Sequence, residues 1–252
     1  MYKIDEIRNK IICGDALEVL KKIPDESVEM ILTDPPYGIS SEVKITRGRN
    51  KMKFKGKDIV LKFGDWDVFD NLEEQMKWTF QWIDECVRIL KKGRIFAMWF
   101  DRDKINFVSH YLQRKYQFKS KGYFAHLKSN PVPQARKVKW MNGWEIIGLW
   151  QKPGGKLVYN WQLGQQKDYM IVPIVSGKER LNHPTQKPEK IIELFIKYWT
   201  KEGETILDPF IGSGTTGAVA KKLGRNFIGI EISKEYCSLA EKRIKNTPKP
   251  LF

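Results

Sequence analysis

Short apolar runs alternate along the chain with segments whose apolar residues recur at helical spacing. Continuous apolar runs predict buried strands, and a spacing of about 3.6 residues predicts amphipathic helices. The predicted strands are Lys10–Cys13, Val28–Thr33, Arg94–Phe100, Gly122–Leu127, Glu145–Gln151, Thr205–Leu207 and Asn226–Ile230. The predicted helices are Ala16–Lys22, Leu72–Lys91, Lys104–Arg114, Pro188–Trp199, Thr215–Leu223 and Lys234–Lys245.

This alternation predicts a doubly wound α/β fold with a mainly parallel sheet. Strands that are apolar along their whole length are buried on both faces, and the helices between them are long enough to cross over the sheet. At 252 residues, the chain fits a single domain spanning residues 1–252. Because ligands in such sheets bind beyond the carboxyl ends of the strands, the residues just after each strand are the candidates for chemistry.

Two segments depart from the alternating pattern. Residues 40–62 carry eight lysines and arginines against two acidic residues. Such a run is either a solvated loop or, because it follows a strand end, a loop that contacts phosphates. Residues 154–182 carry aromatic and apolar residues with weak periodicity between a strand and a helix. We interpret this second segment as an inserted recognition element.

The charge balance favours a polyanionic partner. The chain has 45 lysines and arginines against 30 aspartates and glutamates, a formal charge of +15, and a sequence pI near 9.6. Nucleic acid is the first candidate, although thermophilic proteins and membrane-surface binders are also rich in lysine. A hydrophobic content of 41% argues against a disordered chain.

The cysteines and the apolar runs exclude other classes of protein. Cys13, Cys86 and Cys237 are far apart, and none has a second cysteine or a histidine at metal-ligand spacing, so we expect neither a disulfide nor a metal site. The polar amino-terminal segment is unlike a signal peptide, and runs such as Ile95–Phe100 are too short to span a membrane. We expect a cytoplasmic protein that does not contact membranes.

A glycine-rich segment follows a predicted strand and opens a predicted helix. Gly212, Gly214 and Gly217 fit the pattern G-x-G-x-x-G, which lets the backbone approach a ligand whose negative group lies at the helix amino end. Glu231 ends the next strand, where a carboxylate can accept hydrogen bonds from ribose hydroxyls. A nicotinamide dinucleotide and S-adenosylmethionine both suit this site, and a turn that merely packs the helix on the sheet is the structural alternative.

The tetrapeptide Asp34-Pro35-Pro36-Tyr37 follows a strongly apolar strand. Two prolines fix their own φ and keep the residues before them out of the helical region, so the turn is stiff and extended. The Asp34 carboxylate and a proline carbonyl can accept both N–H groups of an exocyclic amino group, which localises the nitrogen lone pair. Tyr37 adds a flat face on which a flipped base can stack. A rigid surface turn is the structural alternative to this prediction of methyl transfer to an amino nitrogen.

Three motifs together resemble those of the DNA methyltransferases that methylate adenine N6 or cytosine N4. They are the tetrapeptide at 34–37, the segment His183-Pro184-Thr185-Gln186-Lys187-Pro188, and the segment Asp-Pro-Phe-Ile-Gly-Ser-Gly-Thr-Thr at 208–216. Their order, with the tetrapeptide ahead of the glycines, is similar to that of the β group of the family. The resemblance covers nearly all of the chain, since Ile12–Leu17, Phe63–Asp67, Lys128–Pro133 and Asn226–Glu231 are also similar to family segments.

The resemblance implies a seven-stranded sheet of the S-adenosylmethionine-dependent methyltransferase type. The sheet would be circularly permuted, because the strand ahead of the glycines comes sixth. The resemblance also implies S-adenosyl-L-methionine as cofactor, no metal, and catalytic roles for Asp34, Pro35, Pro36 and Tyr37. The residues that it implies for cofactor binding are Asp15, Ala16, His183, Thr185, Gln186, Lys187, Asp208, Phe210, Gly212, Ser213, Gly214, Thr215, Thr216 and Glu231.

Double-stranded DNA is the partner that the resemblance implies. The residues expected to contact DNA are Arg47, Arg49, Lys51, Lys53, Lys55, Lys57, Asn130, Arg136 and Lys137. Specificity for a target sequence would come from residues 40–62, 131–140 or 154–182, where a few side chains can meet base edges. A cognate restriction endonuclease and a second copy of the chain are further candidate partners that the sequence leaves open.

We therefore predict a site-specific enzyme that methylates N6 of a flipped adenine in duplex DNA. Cytosine N4 is the alternative acceptor, although similar enzymes acting on it more often carry serine at the position of Asp34. A nicotinamide-dependent oxidoreductase would explain the glycines but not the tetrapeptide, and a non-catalytic DNA-binding module would leave the cofactor motif without a role. The chain departs from the family at His126, where relatives often carry an aromatic residue, and we interpret this histidine as structural.

Overall fold

A computed structural model of the protein describes residues 1–37, 42–45, 59–62, 69, 71–133, 138–179, 181 and 186–249, with the backbone alone for 42–45, 59–62 and 178. The helices are α1 (Ile4–Ile7), α2 (Ala16–Leu20), α3 (Leu72–Ile89), α4 (Ile105–Tyr116), α5 (Glu189–Trp199), α6 (Thr215–Lys222) and α7 (Lys234–Asn246). The strands are β1 (Lys10–Cys13), β2 (Val28–Thr33), β3 (Glu42–Ile45), β4 (Ile59–Lys62), β5 (Leu90–Phe100), β6 (Lys119–Leu127), β7 (Trp144–Gln151), β8 (Tyr169–Ile171), β9 (Thr205–Asp208) and β10 (Asn226–Glu231).

One large sheet has the strand order β1-β10-β9-β2-β5-β7-β6-β8. Its neighbouring strands are parallel except for β7, which runs antiparallel to both β5 and β6. All seven strands predicted from the sequence belong to this sheet. The prediction of a mainly parallel, doubly wound α/β fold is therefore confirmed.

Two pairings add to the predicted fold. The edge strand β8 pairs with β6, with Ala125 opposite Tyr169, and its three residues are too few to show a strand pattern in the sequence. Residues 40–62 are the second difference, since the sequence predicts a loop there. Within this segment β3 and β4 pair antiparallel, with Lys44 opposite Val60. The sequence does not show these strands because their short alternation of polar and apolar residues does not stand out among so many charges.

The sheet has an apolar core on each face. All six residues of β2 are buried, as expected for a central strand covered on both sides. On one face the ring centroids of Trp82 in α3 and Phe96 in β5 are 6.2 Å apart. On the other face Trp99 in β5 packs against Phe195 in α5 at 5.9 Å. These two cores hold the strand ends, and therefore the loops that follow them, in fixed positions.

Element boundaries differ from the prediction where polar residues interrupt an apolar pattern. Helix α3 begins after Asn71, whose side chain accepts a hydrogen bond from the backbone N–H of Glu74 at 2.9 Å. It ends at Ile89, and β5 begins at once with Leu90 rather than at Arg94, because the intervening lysines and glycine hide the start of the strand. Of the described helices, none combines the length and the apolar character that crossing a membrane requires.

Candidate active site

A cavity of about 370 Å³ opens at the carboxyl ends of β1, β2, β9 and β10. This volume lies in the range of about 300–1,000 Å³ that is typical of cofactor and small-molecule sites. The predicted residues in its wall are Asp15, Ala16, Asp34, Pro35, Pro36, Tyr37, Gln186, Lys187, Asp208, Phe210, Gly212, Ser213, Thr215, Thr216 and Glu231. The tetrapeptide and the glycine segment therefore line the same cavity.

Asp208 ties the glycine segment to the strand that carries the tetrapeptide. Its Oδ1 accepts hydrogen bonds from the Thr33 hydroxyl at 2.8 Å and from the Phe210 backbone N–H at 3.2 Å. Its Oδ2 accepts one from the Thr216 hydroxyl at 2.6 Å. Burial raises the pKa of Asp208 to about 7, although these hydrogen bonds oppose the shift. Both oxygens are thus engaged within the protein, and they hold two walls of the cavity together.

Glu231 lies beside the glycine segment at the end of β10. Its Oε2 accepts a hydrogen bond from the backbone N–H of Gly212 at 3.1 Å, and its Oε1 accepts one from Ser233 at 2.8 Å. Burial raises the pKa of Glu231, and these backbone hydrogen bonds oppose the increase. Because a carboxylate oxygen can accept more than one hydrogen bond, Glu231 keeps acceptor capacity for a ligand in the cavity.

Among the described cofactor candidates, Gly214 alone is missing from the cavity wall. Its φ of 79° lies in the left-handed region, and a Cβ at this position would lie 2.8 Å from the Cβ of Ala240. This glycine allows α6 to begin in close contact with α7. The structure therefore gives Gly214 a packing role where the sequence predicted contact with the cofactor.

Arg243 of α7 stabilises the glycine segment through hydrogen bonds to two of its hydroxyl groups. It donates hydrogen bonds to the hydroxyl of Thr215 at 2.8 Å and to that of Ser213 at 3.3 Å. It also pairs with Glu189 at the start of α5 at 2.8 Å. The hydroxyls of Ser213 and Thr215 are thus held by the protein, and they fix the turn between β9 and α6.

The Asp34 carboxylate has two close partners in the cavity wall. The Tyr37 hydroxyl donates a hydrogen bond to its Oδ1, and the Nζ of Lys187 lies 3.2 Å from its Oδ2. Burial raises the pKa of Asp34, while Lys187 and Tyr37 lower it. Burial and the Asp34 charge raise the pKa of Tyr37 well above its usual value, so the phenol stays protonated and donates.

Lys187 is shared between Asp34 and a second carboxylate. Its Nζ lies 3.0 Å from the Oε2 of Glu145 on β7, and its side chain is 10% exposed. Burial lowers the pKa of Lys187, but Asp34 and Glu145 raise it by more, so the ammonium stays charged.

The position of Tyr37 is fixed from α4 and β5. Lys104, at the start of α4, donates a hydrogen bond to the backbone carbonyl of Tyr37 at 3.1 Å. The ring of Phe100, the last residue of β5, meets the Tyr37 ring edge-on with centroids 5.9 Å apart. The tetrapeptide is therefore held at both its carboxylate and its ring.

Of the predicted residues between 183 and 187, Gln186 and Lys187 line the cavity, and His183 and Thr185 lie outside the described residues. The side-chain oxygen of Gln186 accepts a hydrogen bond from the Leu181 N–H at 2.9 Å, and its amide nitrogen donates to the Glu179 carbonyl at 2.7 Å. The side chain of Gln186 thus stabilises the backbone of the segment that precedes it, whereas the side chain of Lys187 pairs with Asp34 after β2.

Asp15 and Ala16 line the cavity where β1 passes into α2. The Oδ1 of Asp15 accepts a hydrogen bond from the backbone N–H of Glu18 at 3.2 Å, which caps the helix. Asp15 therefore has a structural role beside the cofactor role predicted for it.

The residues predicted to contact DNA are largely outside the described part of the chain. Those outside it are Arg47, Arg49, Lys51, Lys53, Lys55, Lys57, Arg136 and Lys137. Asn130 is exposed, and its side-chain oxygen accepts a hydrogen bond from the Ile174 N–H at 2.8 Å. His126 is 2% exposed, with its Nε2 3.1 Å from the Val172 carbonyl. Both residues join the end of β6 to the residues after β8, which supports the structural interpretation of His126.

Several residues of the site carry no motif. Trp78, Trp99, Ile192 and Tyr236 line the cavity, but each lies on an apolar stripe or run that is equally typical of core residues. Glu145 meets Lys187 although 42 positions separate them, and only the fold brings these two residues together. No signal in the single sequence distinguishes these positions from ordinary ones.

The strand order β1-β10-β9-β2-β5-β7-β6, with β7 antiparallel, defines an S-adenosylmethionine-dependent methyltransferase fold. The glycine segment follows β9, late in the chain, and the tetrapeptide follows β2, so the order is circularly permuted as the sequence predicted.

Comparisons with known proteins identify the family within this class of methyltransferases. The DNA methylase family model matches residues 28–242, and the chain belongs to that family. The type II methyltransferase M.HinfI of Haemophilus influenzae is 35% identical over 98% of this chain and 71% of its own length. The type II methyltransferase M2.DpnII of Streptococcus pneumoniae is 35% identical over 94% of this chain and 91% of its own. The crystal structure of the M1.HpyAVI–SAM complex aligns with a TM-score of 0.72 at 26% identity, over 93% of this chain and 98% of that one.

Proposed function

We propose that this protein transfers a methyl group from S-adenosyl-L-methionine to N6 of an adenine that is flipped out of duplex DNA at a specific sequence. The observation that carries the proposal is that Asp34 lines the same cavity as Gly212 and Glu231. A carboxylate that binds an amino group and a turn that binds the methyl donor can then bring the two reacting atoms into contact. Relatives named type II methyltransferases support the DNA substrate.

The cavity suits S-adenosylmethionine in the chemistry of its wall. Glu231 can accept hydrogen bonds from ribose hydroxyls, Asp15 can accept from an adenine amino group, and Phe210 offers an aromatic face. The similar M1.HpyAVI structure is a complex with SAM, which supports the same cofactor here. When bound, S-adenosylmethionine supplies a methyl group on a positively charged sulfur, which keeps the electron pair of the broken carbon–sulfur bond.

The tetrapeptide acts on the target base. A carboxylate oxygen of Asp34 and the Pro35 carbonyl can each accept an N–H of the amino group, which directs the nitrogen lone pair toward the methyl group. Stacking on the Tyr37 ring contributes about 1–3 kcal/mol per base. The nitrogen loses one proton after it gains the methyl group, and Asp34 can accept this proton because burial raises its pKa.

Adenine N6 is the acceptor that Asp34 favours. Cytosine N4 is the second candidate, because its amino group presents two N–H donors in a similar geometry. An aspartate at the first position of the tetrapeptide is the feature that resembles adenine-specific enzymes.

The type II relatives favour a role in restriction and modification. In that setting an endonuclease would cut the same sequence when it is unmethylated. This endonuclease, a homodimer, the cytoplasmic location and the predicted DNA contacts of residues 40–62 and 154–182 stay predictions.

Replacing Asp34 tests the proposal. Asp34→Ala should lower the rate of methyl transfer to DNA by about 100-fold or more, because the acceptor for the amino group is lost. The isosteric Asp34→Asn keeps one acceptor oxygen but loses the negative charge, so it should lower the rate by a smaller factor. Calorimetry should show that S-adenosylmethionine binding is little changed. Loss of cofactor binding as the main defect, or full activity of both variants, would contradict the proposal.

Glu231→Gln provides the matched contrast within the same cavity. It should weaken cofactor binding and leave a methyl-transfer rate that recovers at saturating S-adenosylmethionine.

A further inference from the structure

Glu145 joins the site from β7, in a segment that carries none of the family motifs. Its Oε2 lies 3.0 Å from the Nζ of Lys187, which also lies 3.2 Å from the Oδ2 of Asp34. A single buried ammonium group therefore bridges two carboxylates, of which only Asp34 belongs to the tetrapeptide.

Glu145 is anchored independently of Asp34. Its Oε1 pairs with the Nζ of Lys128 at 2.8 Å, and the Nδ1 of the buried His126 lies 3.7 Å from its Oε2. Burial opposes its ionisation, but Lys187 and Lys128 hold the pKa of Glu145 well below its usual range. Glu145 thus keeps its negative charge beside Lys187 and Lys128.

Asp34 needs a free acceptor oxygen to bind a target amino group. Its Oδ1 accepts the Tyr37 hydroxyl, and its Oδ2 faces Lys187. Each oxygen can accept more than one hydrogen bond, but a target amino group competes with one of these partners for its position on the carboxylate. If Asp34 were the sole counter-charge of Lys187, displacing the lysine would leave a buried ammonium unpaired, which is strongly unfavourable.

We infer that Glu145 is a positioning residue that holds Lys187 when the target amino group takes its place on Asp34. This inference rests on the function proposed above. Because Glu145 already contacts Lys187, the exchange needs no new ion pair and leaves no buried charge alone. Lys187 stays near Asp34 and balances its charge, while one carboxylate oxygen is released to the base.

Loss of the Glu145 charge should make the reaction depend on the protonation of Lys187. In Glu145→Gln the ammonium keeps Asp34 as its anionic partner and blocks the acceptor oxygen. Burial lowers the pKa of Lys187, and the charge of Glu145 offsets part of this effect. Without that charge, the pKa of Lys187 is lower than in the wild type. As the pH rises through this lower pKa, Lys187 loses its proton and releases Asp34. Among the residues that the structure describes, the other titratable or charged groups that face this cluster are Tyr37, Asp101, Lys104, His126, Lys128 and Asp208.

The test is the pH profile of the single-turnover methyl-transfer rate, measured with saturating S-adenosylmethionine and duplex DNA. At about pH 7, Glu145→Gln should be about 10- to 100-fold slower than the wild type. Its rate relative to the wild type should rise with pH, and Glu145→Asp, which keeps the charge, should recover most of the neutral rate. If Glu145→Gln does not fold, Glu145→Asp carries the test, with a smaller loss and a smaller alkaline rise.

Glu193→Gln is the matched control. Glu193 also pairs with two lysines, Lys197 at 2.6 Å and Lys222 at 3.4 Å, and its side chain is 26% exposed against 23% for Glu145. It lies outside the cavity wall, so its profile should follow that of the wild type.

Two results would overturn the inference. One is a wild-type rate for Glu145→Gln at every pH, and the other is a loss by the same factor at every pH, which indicates a purely structural role. Asp34→Ala measured in parallel separates this failure from that of the proposed function. A fully active Asp34→Ala would contradict the proposed function itself, whereas an inactive one beside an unaffected Glu145→Gln would overturn only the role of Glu145.

Discussion

At the scale of single residues, the cavity depends on buried carboxylates whose hydrogen bonds lie inside the protein. Asp208 is 5% exposed and accepts hydrogen bonds from Thr33, Phe210 and Thr216. Burial of an ionised carboxyl costs free energy even when it is hydrogen-bonded, so the folded state favours the protonated form. Asp208 therefore links the stability of the cavity to pH.

Asp208→Asn should change the pH dependence of folding. The pKa of Asp208 is raised to about 7 from 3.8, so the folded protein keeps a proton that the unfolded chain releases within this window. The free energy of unfolding of the wild type should therefore fall, relative to that of Asp208→Asn, as the pH rises from about 4 to about 7. Denaturant unfolding of both proteins at several pH values measures the difference, and a difference that is constant with pH would count against this account.

The catalytic candidates were predictable only where chemistry fixes a local motif. Asp34 and Gly212 stand in short patterns whose stiffness or backbone freedom follows from their residue types. Glu145 and Trp99 stand in ordinary strand patterns, and their role depends on neighbours that are distant in sequence. Lys187 was predicted to bind the cofactor, whereas its contact with Asp34 emerges only when α5 is folded against the sheet.

At the scale of elements, strands were predictable where the apolar run is unbroken and is buried on both faces. β2 is buried throughout and matches its prediction at both ends. β8 and the β3–β4 pair were missed because their pairing, rather than their composition, makes them strands. Residues 154–182 are tied to the rest of the fold by β8 and by Asn160, whose amide donates to the carbonyls of Lys197 and Thr200.

We predict that lysines of the basic segment at residues 40–62 contact DNA phosphates. Neutralising Lys51, Lys53, Lys55 and Lys57 to glutamine should weaken DNA binding similarly for all sequences. It should also flatten the salt dependence of binding, by about 0.9 in log–log slope for each phosphate contact that is lost. Fluorescence anisotropy with short duplexes over a range of salt concentrations measures this slope.

A matched set of lysines lies at the amino-terminal edge of the sheet, away from the cavity. Replacing the exposed Lys22, Lys119, Lys121 and Lys201 with glutamine removes the same positive charge as the quadruple variant of the basic segment. This control should leave the slope nearly unchanged. Equal slopes for the two quadruple variants would show that total charge, rather than the basic segment, governs DNA binding.

At the scale of the whole molecule, the parallel sheet assembles a site from distant parts of the chain. β9 lies between β10 and β2, so Glu231 and Asp34 reach one cavity although they stand near opposite ends of the sequence. Circular permutation leaves this neighbourhood intact, because it changes only where the chain enters the sheet. The doubly wound fold could be predicted from the sequence because the apolar pattern indicates both the buried strands and the helices that cross between them.

The identity of the methylated base distinguishes an adenine-N6 methyltransferase from the alternatives in one measurement. The protein and its Asp34→Ala variant would each be expressed in a host without DNA methylation, and the genomic DNA would be mapped by direct long-read sequencing. We predict N6-methyladenine in one recurring sequence context with the wild type and none with the variant. N4-methylcytosine, no modified base with the wild type, or an unchanged pattern with Asp34→Ala would contradict it.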